Sequence, residues 1–175
     1  LNGSGRIEIS VPMTIAGSGP TSTTIEASSF DDDLLFVDLN VDGTVTLEGV
    51  ALTGAVGSSF GNNAALFAIA QTDRDLVLQD VTIRDNLPSA VPALNIQGNS
   101  SGKVSLTRVV FQNNVATTTQ FSGSDGAAMR CSVGDSSSPP SVTMTDVSFI
   151  QNSISSAQDF TVPAAGLTST GCNLD

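Results

Sequence analysis

An eleven-residue phrase occurs four times in this chain, and that recurrence limits the architecture more than any other feature. The copies read VTLEGVALTGA at Val45–Ala55, LVLQDVTIRDN at Leu76–Asn86, VSLTRVVFQNN at Val104–Asn114 and VTMTDVSFIQN at Val142–Asn152. Every copy is apolar at its first, third, sixth and eighth positions, and three of them end in Asn. The spacing between copies runs from about 28 to about 38 residues, inside the interval of roughly 20–50 that marks a solenoid, whose units bury themselves only against their neighbours.

Aligning the copies brings like residues into file: Val45, Leu76, Val104 and Val142, then Leu47, Leu78, Leu106 and Met144. The sixth column is Val50, Val81, Val109 and Val147, and the eighth is Leu52, Ile83, Phe111 and Phe149. Positions 1 and 3 have odd parity and positions 6 and 8 even parity, so the strand must bend near position 4 or 5. A second, small-residue strand follows each copy: Ala64–Ile69, Pro92–Ile96, Ala127–Met129 and Ala165–Leu167. Upstream, Ile7, Ile9 and Val11 are expected on one face, as are Met13 and Ile15, before a turn at Gly17–Pro20. No segment carries a helical apolar stripe. The pattern predicts an all-β, right-handed, single-stranded parallel β-helix of about six coils, with successive coils about 4.8 Å apart. Residues 1–175 read as a single segment, with N-terminal coils in 1–44 and four repeat coils in 45–175.

Two columns test the register. The eleventh is Ala55, Asn86, Asn114 and Asn152, where stacked amides can hydrogen-bond along the axis. The fifth is Gly49, Asp80, Arg108 and Asp146, which would set Arg108 between two carboxylates on adjacent coils.

Composition removes several classes of function. The net charge is −11, yet only 13% of residues are charged and 39% are apolar, a folded acidic surface and not a disordered tail. Six basic residues without a cluster exclude nucleic-acid binding and docking on anionic lipid. No apolar run approaches the ~18–20 residues of a membrane span. Histidine is absent, which removes imidazole acid–base chemistry and imidazole metal ligands. Leu1-Asn2-Gly3 opens in polar chain with no signal peptide, which suggests a processed piece of a longer protein. Cys131 and Cys172 lack metal or redox spacing; a single bridge and two buried small hydrophobes both remain open.

At Phe111-Gln112-Asn113-Asn114 and Phe149-Ile150-Gln151-Asn152 the chain resembles the FxxN repeat of polymorphic outer-membrane proteins. Gly126-Ala127-Ala128-Met129 is similar to a degenerate GGA[ILV] motif of that family, with weaker echoes at Ala165-Gly166-Leu167 and Ala64-Ala65-Leu66. The likeness covers residues 45–170 and departs from the pattern where Ile83 replaces Phe and Ala55 replaces Asn. It implies a right-handed parallel β-helix on an extracellular surface, serving adhesion or acting as a stalk.

Many parallel β-helices act on polysaccharides, and those enzymes need clustered carboxylates with a Lys or Arg in one groove. Here the stacked outward carboxylates are Asp80 and Asp146, two coils and about 9.6 Å apart, with Arg108 between them. A surface charge ladder explains them better than catalysis does. Asp31-Asp32-Asp33 lacks the spacing of a dedicated calcium loop and reads as a solvated turn. Asn2-Gly3-Ser4 and Asn99-Ser100-Ser101 are glycosylation sequons, open to a glycan if the protein is secreted by a eukaryote. Outward Thr46, Thr143 and Thr145 align with Val77, Ser105, Gln79 and Thr107, so no regular ice-binding array forms.

The expectation is therefore a non-catalytic structural or adhesive segment of an extracellular or cell-surface protein or filament. It needs no cofactor or metal. Its partners are neighbouring coils of the same longer chain or other subunits of a surface assembly, and glycans if a eukaryote secretes it. The alternative is a carbohydrate-active or carbohydrate-binding β-helix of the pectate-lyase kind.

Overall fold

Each copy of the phrase breaks into two short strands, and its fifth residue makes the break. In the computed structural model Gly49, Asp80, Arg108 and Asp146 have φ of 62°, 53°, 51° and 55°, the left-handed region that ends one strand and redirects the next. The tenth residue repeats the device: Gly54, Asp85, Asn113 and Gln151 have φ of 76°, 54°, 52° and 52°. The fifth-position corner, which lies between positions 3 and 6, explains the change of parity. The structure describes residues 6–27, 33–56, 64–87, 92–98, 102–118, 127–133, 140–156, 161–163, 168–169 and 173–174.

The result is an all-β fold of parallel strands stacked as a β-solenoid, with no helix among the described residues. A first sheet, six-stranded, holds Ile7–Ile9, Leu35–Asp38, Leu66–Ala70, Leu94–Gly98, Met129–Val133 and Thr168–Ser169. The second, also six-stranded, holds Met13–Ala16, Gly43–Glu48, Arg74–Gln79, Lys103–Thr107, Ser141–Thr145 and Asn173–Leu174. The third has five strands: Thr24–Glu26, Ala51–Thr53, Thr82–Arg84, Val110–Gln112 and Ser148–Ile150. The register is the one the repeat predicts. Val45 pairs with Leu76, Leu76 with Val104, and Val104 with Val142. In the third sheet Leu52 pairs with Ile83, Ile83 with Phe111, and Phe111 with Phe149.

A fourth, three-stranded sheet was not legible in the repeat. Val115–Thr118 pairs in parallel with Ser153–Ser156, which then pairs antiparallel with Thr161–Pro163. Pro163 cannot donate to a further ladder, so it blunts that edge.

The core is made of the inward columns. Val45, Leu76, Val104 and Val142 are all buried, as are Leu47, Leu78 and Leu106. The first sheet adds Leu35, Leu66, Leu94 and Met129, and the rings of Phe111 and Phe149 stack at 5.1 Å with an interplanar angle of 5°. Burial of such side chains contributes about 1.5–3 kcal/mol each before the entropy of ordering is subtracted. The first coil departs from expectation. Val11 and Met13 are 56% and 43% exposed, although Met13 is in register with fully buried Val45. Met13 belongs to the first strand of its sheet and has a paired strand on one side only.

The asparagine column is a continuous buried ladder. Asn86 Nδ2 donates to Asn114 Oδ1 at 2.9 Å, and Asn114 Nδ2 donates to Asn152 Oδ1 at 2.8 Å. Each Nδ2 also donates to the carbonyl of the eighth residue one coil earlier: Leu52, Ile83 and Phe111. Each Oδ1 accepts in addition the backbone N–H of the preceding corner, from Ala55, Asn86 and Asn114. One amide per coil thus satisfies the backbone groups that the turn takes out of the sheet.

Replacing Asn114 with Leu deprives Asn86 Nδ2, Asn86 N–H and Ile83 C=O of partners in a dry corner. The expected loss is about 3 kcal/mol or more and roughly 10 °C in Tm, read by thermal melting; an unchanged melt would remove the ladder from the account. Gly49→Ala tests the corner. At φ 62° an added Cβ would sit 2.7 Å from the Gly17 carbonyl oxygen. A loss of about 2 kcal/mol is expected in a denaturant titration, whereas Gln151→Gly, which relieves the same backbone region, should gain about 0.5–1 kcal/mol.

Candidate functional site

The fifth-position corner carries the carboxylate–arginine stack that the repeat predicts. Because Asp80 and Arg108 sit on consecutive left-handed corners, both side chains leave the coil side by side. Arg108 Nε and Nη2 donate to Asp80 Oδ1 and Oδ2 at 2.5 and 2.7 Å, a two-pronged pair with both side chains substantially exposed. The hydrogen bonds from Arg108 outweigh the effect of desolvation and hold the Asp80 carboxyl below its ordinary value, and Asp80 in turn raises Arg108. Asp146 exerts only a through-space pull on Arg108. Arg108 thus stands between two carboxylates, as its column implies, and hydrogen-bonds the one on the preceding coil. A carboxyl held low and paired is suited to charge balance, whereas a general acid needs the opposite shift.

The acidic turn is corrected too. Asp33 is 3% exposed, not solvated. Its Oδ1 accepts the Ala64 N–H of the next coil at 2.7 Å, and its Oδ2 lies 3.9 Å from Arg6 Nη1. It caps the start of the neighbouring strand as the Asn ladder does elsewhere. Asp31 and Asp32 lie outside the described residues, among which no group of three or more His, Cys, Asp or Glu could hold a metal ion.

Cys131 is disulfide-bonded and fully buried, in register with Ile96; Cys172 lies outside the described residues. The two sequon asparagines, Asn2 and Asn99, lie outside them as well. The middle outward rank of the second sheet runs Thr14, Thr46, Val77, Ser105 and Thr143, the irregular array that the sequence implies.

The sequence reading missed the outward face of the first sheet. Register places Glu8, Phe36, Phe67, Asn95 and Arg130 in one column, alternating with the buried leucines. The Phe36 and Phe67 rings stack at 5.3 Å with an interplanar angle of 18°, and the Arg6 guanidinium lies 3.8 Å above the Phe36 ring. Asn95, next in the column, is 1% exposed, and its Oδ1 has no hydrogen-bond partner among the described residues. The signal was present. In Leu35–Asp38 and Leu66–Ala70 the phenylalanine has the opposite parity to the core leucine, so strand alternation alone puts it outside.

Since the native carboxyl titrates low, the Asp80–Arg108 contribution is present above the ordinary 3.8 of an aspartate and is lost as pH falls through the depressed value. Arg108→Gln should therefore lower the denaturation midpoint slightly at neutral pH and not at all once Asp80 is protonated. High salt should shrink the difference, because the pair is exposed. A pH-independent difference would point to the corner backbone instead. No protein-family model, no curated protein and no solved structure matches this chain.

Proposed function

We propose that the chain is a structural or adhesive segment of an extracellular or cell-surface protein or filament, without catalytic activity and wound as a right-handed stack of six coils. Six strands in each of the first two sheets support the coil number. The general preference of parallel crossovers supports the hand. The likeness of the FxxN-type segments to polymorphic outer-membrane protein repeats supports the location. Of the two stacked carboxylates weighed for catalysis, Asp80 balances Arg108, and the buried Asp33 caps a strand. In this reading Asn2 and Asn99 are glycan acceptors, and a Cys131–Cys172 bridge suits an oxidising compartment.

The observation that carries the reading is the unfinished last edge of the third sheet. Among the described residues Ser148–Ile150 is the last strand of that sheet. Val147 and Phe149 are only partly buried there, whereas Val109 and Phe111, their counterparts one coil earlier, are fully buried. Asn152 Nδ2 donates to Phe111 O, and among the described residues no acceptor takes its second hydrogen along the ladder. Such an edge is complemented by one more strand of the same kind, with an apolar residue over Phe149 and an amide over Asn152. In this reading the edge is covered by coils of the same longer chain or of another subunit, as in a stalk or filament.

The carbohydrate-binding alternative is favoured by one observation, the outward Phe36–Phe67 stack.

Ile150, 42% exposed at the unfinished edge, is the place to test the structural role. In the native surface material Ile150→Cys is expected to resist thiol-reactive dyes and to crosslink to an adjoining coil. Full dye reactivity in the native material, or turnover of a polysaccharide by the purified chain, would overturn the proposal.

A further inference from the structure

The corners bond from coil to coil by a fixed rule. At the fifth position the N–H groups of Gly49, Asp80 and Arg108 donate to the fourth-position carbonyls one coil later, on Gln79, Thr107 and Thr145. At the tenth position Asp85 and Asn113 donate in the same direction, to the ninth-position carbonyls of Gln112 and Ile150. In the fourth copy the rule stops. Among the described residues neither the Asp146 N–H nor the Gln151 N–H meets such a carbonyl, and both residues are exposed. Between them the inward Val147 and Phe149 are only partly buried. Water can solvate two N–H groups but gives no return for bare apolar surface, so this edge is suited to a strand and not to solvent.

The chain holds the start of such a strand. In the second sheet Ser141 pairs with Asn173 and Val142 with Leu174, in parallel. Val142 is the first residue of the fourth copy, so Leu174 stands at the first position of a fifth. Every earlier copy turns at its fifth position and lays its seventh to ninth residues on the third sheet. A copy opening at Leu174 and following the same path brings its fourth and ninth carbonyls to Asp146 and Gln151, and its sixth and eighth side chains over Val147 and Phe149. The match stops at the next corner, because Thr161–Pro163 runs antiparallel beside Ser153–Ser156 with Pro163 opposite Ser153. A second copy of the chain fits the edge less well. Its Thr24–Glu26 strand could reach Ser148–Ile150 only with its Met13–Ala16 strand beside Ser141–Thr145, where Asn173–Leu174 already lies.

We propose that the Ser148–Ile150 edge is the docking surface for a fifth copy of the phrase, carried by the chain that continues from Leu174. That copy has Gly, Asp or Asn at its fifth position, where the backbone turns left-handed, and apolar residues at its sixth and eighth. The inference rests on the reading of this edge as covered and names the segment that covers it.

The test uses the native full-length protein. In hydrogen exchange the Asp146 and Gln151 amides should exchange within about tenfold of the Arg108 and Asn113 amides, their counterparts one coil earlier. Ile150→Cys labelled with a thiol-linked benzophenone should crosslink within one chain. Mass spectrometry of the crosslinked peptide should place the partner in the phrase that opens at Leu174, with apolar residues at its sixth and eighth positions. Slow exchange with a crosslink to another chain, or to any other segment of the same chain, would overturn the fifth copy and leave the covered edge standing. Exchange of both amides at the rate of an unstructured peptide would overturn the two readings together.

Discussion

Backbone hydrogen bonding between parallel coils is the constraint from which the rest of this structure follows. Once Val104 pairs with Leu76 on one side and Val142 on the other, every residue in the coil is committed to a column of its counterparts. A column must then be uniformly compatible with its surroundings, because neighbouring members touch one another. Apolar columns fill the interior. Columns at corners need either a residue that accepts left-handed backbone or one that repairs the hydrogen bonds the corner breaks. The four phrases are alike because each answers the same set of local demands.

The corner residues show how those demands are met unequally. Asp and Asn accept φ near 50–60° because their short side chains bond locally, and Gly accepts it for want of a Cβ. Arg108 and Gln151 occupy equivalent corners with φ of 51° and 52°, where neither advantage applies. At Arg108 the two-pronged pair with Asp80 offsets part of the strain. The Asn ladder offsets the corner's lost sheet bonds more completely, since each amide serves two coils at once. Asp33 is a one-off version of that solution, a carboxylate accepting the N–H of Ala64 at another corner.

The same rule that stacks like on like also makes the outer faces legible. A surface column is a short row of side chains at constant spacing, and its chemistry is the order of residues along it. On the first sheet that order is acid, ring, ring, amide, guanidinium, with the amide enclosed and its oxygen unmatched. On the second sheet the ranks mix Thr with Val, Ser and Gln and add up to no regular surface. Differences between faces, and not the shared coil, are where a specific function would be written.

Read alone, the residues determined the parallel stacking, the register of the four phrases, the corner within each and the asparagine ladder. All of these are periodic, and periodicity survives in a linear string. What only the tertiary structure decided is not periodic. The burial of Asp33, the exposure of Val11 and Met13, and the choice of Asp80 over Asp146 as the partner of Arg108 depend on which atoms lie on the far side of a coil. The outward pairing of Phe36 with Phe67 lay in the parity of two strands, but its closure by Arg6 and the burial of Asn95 did not. A repeat specifies its neighbours in the stack, whereas burial at the ends and on the outer faces is set by whatever else folds against it.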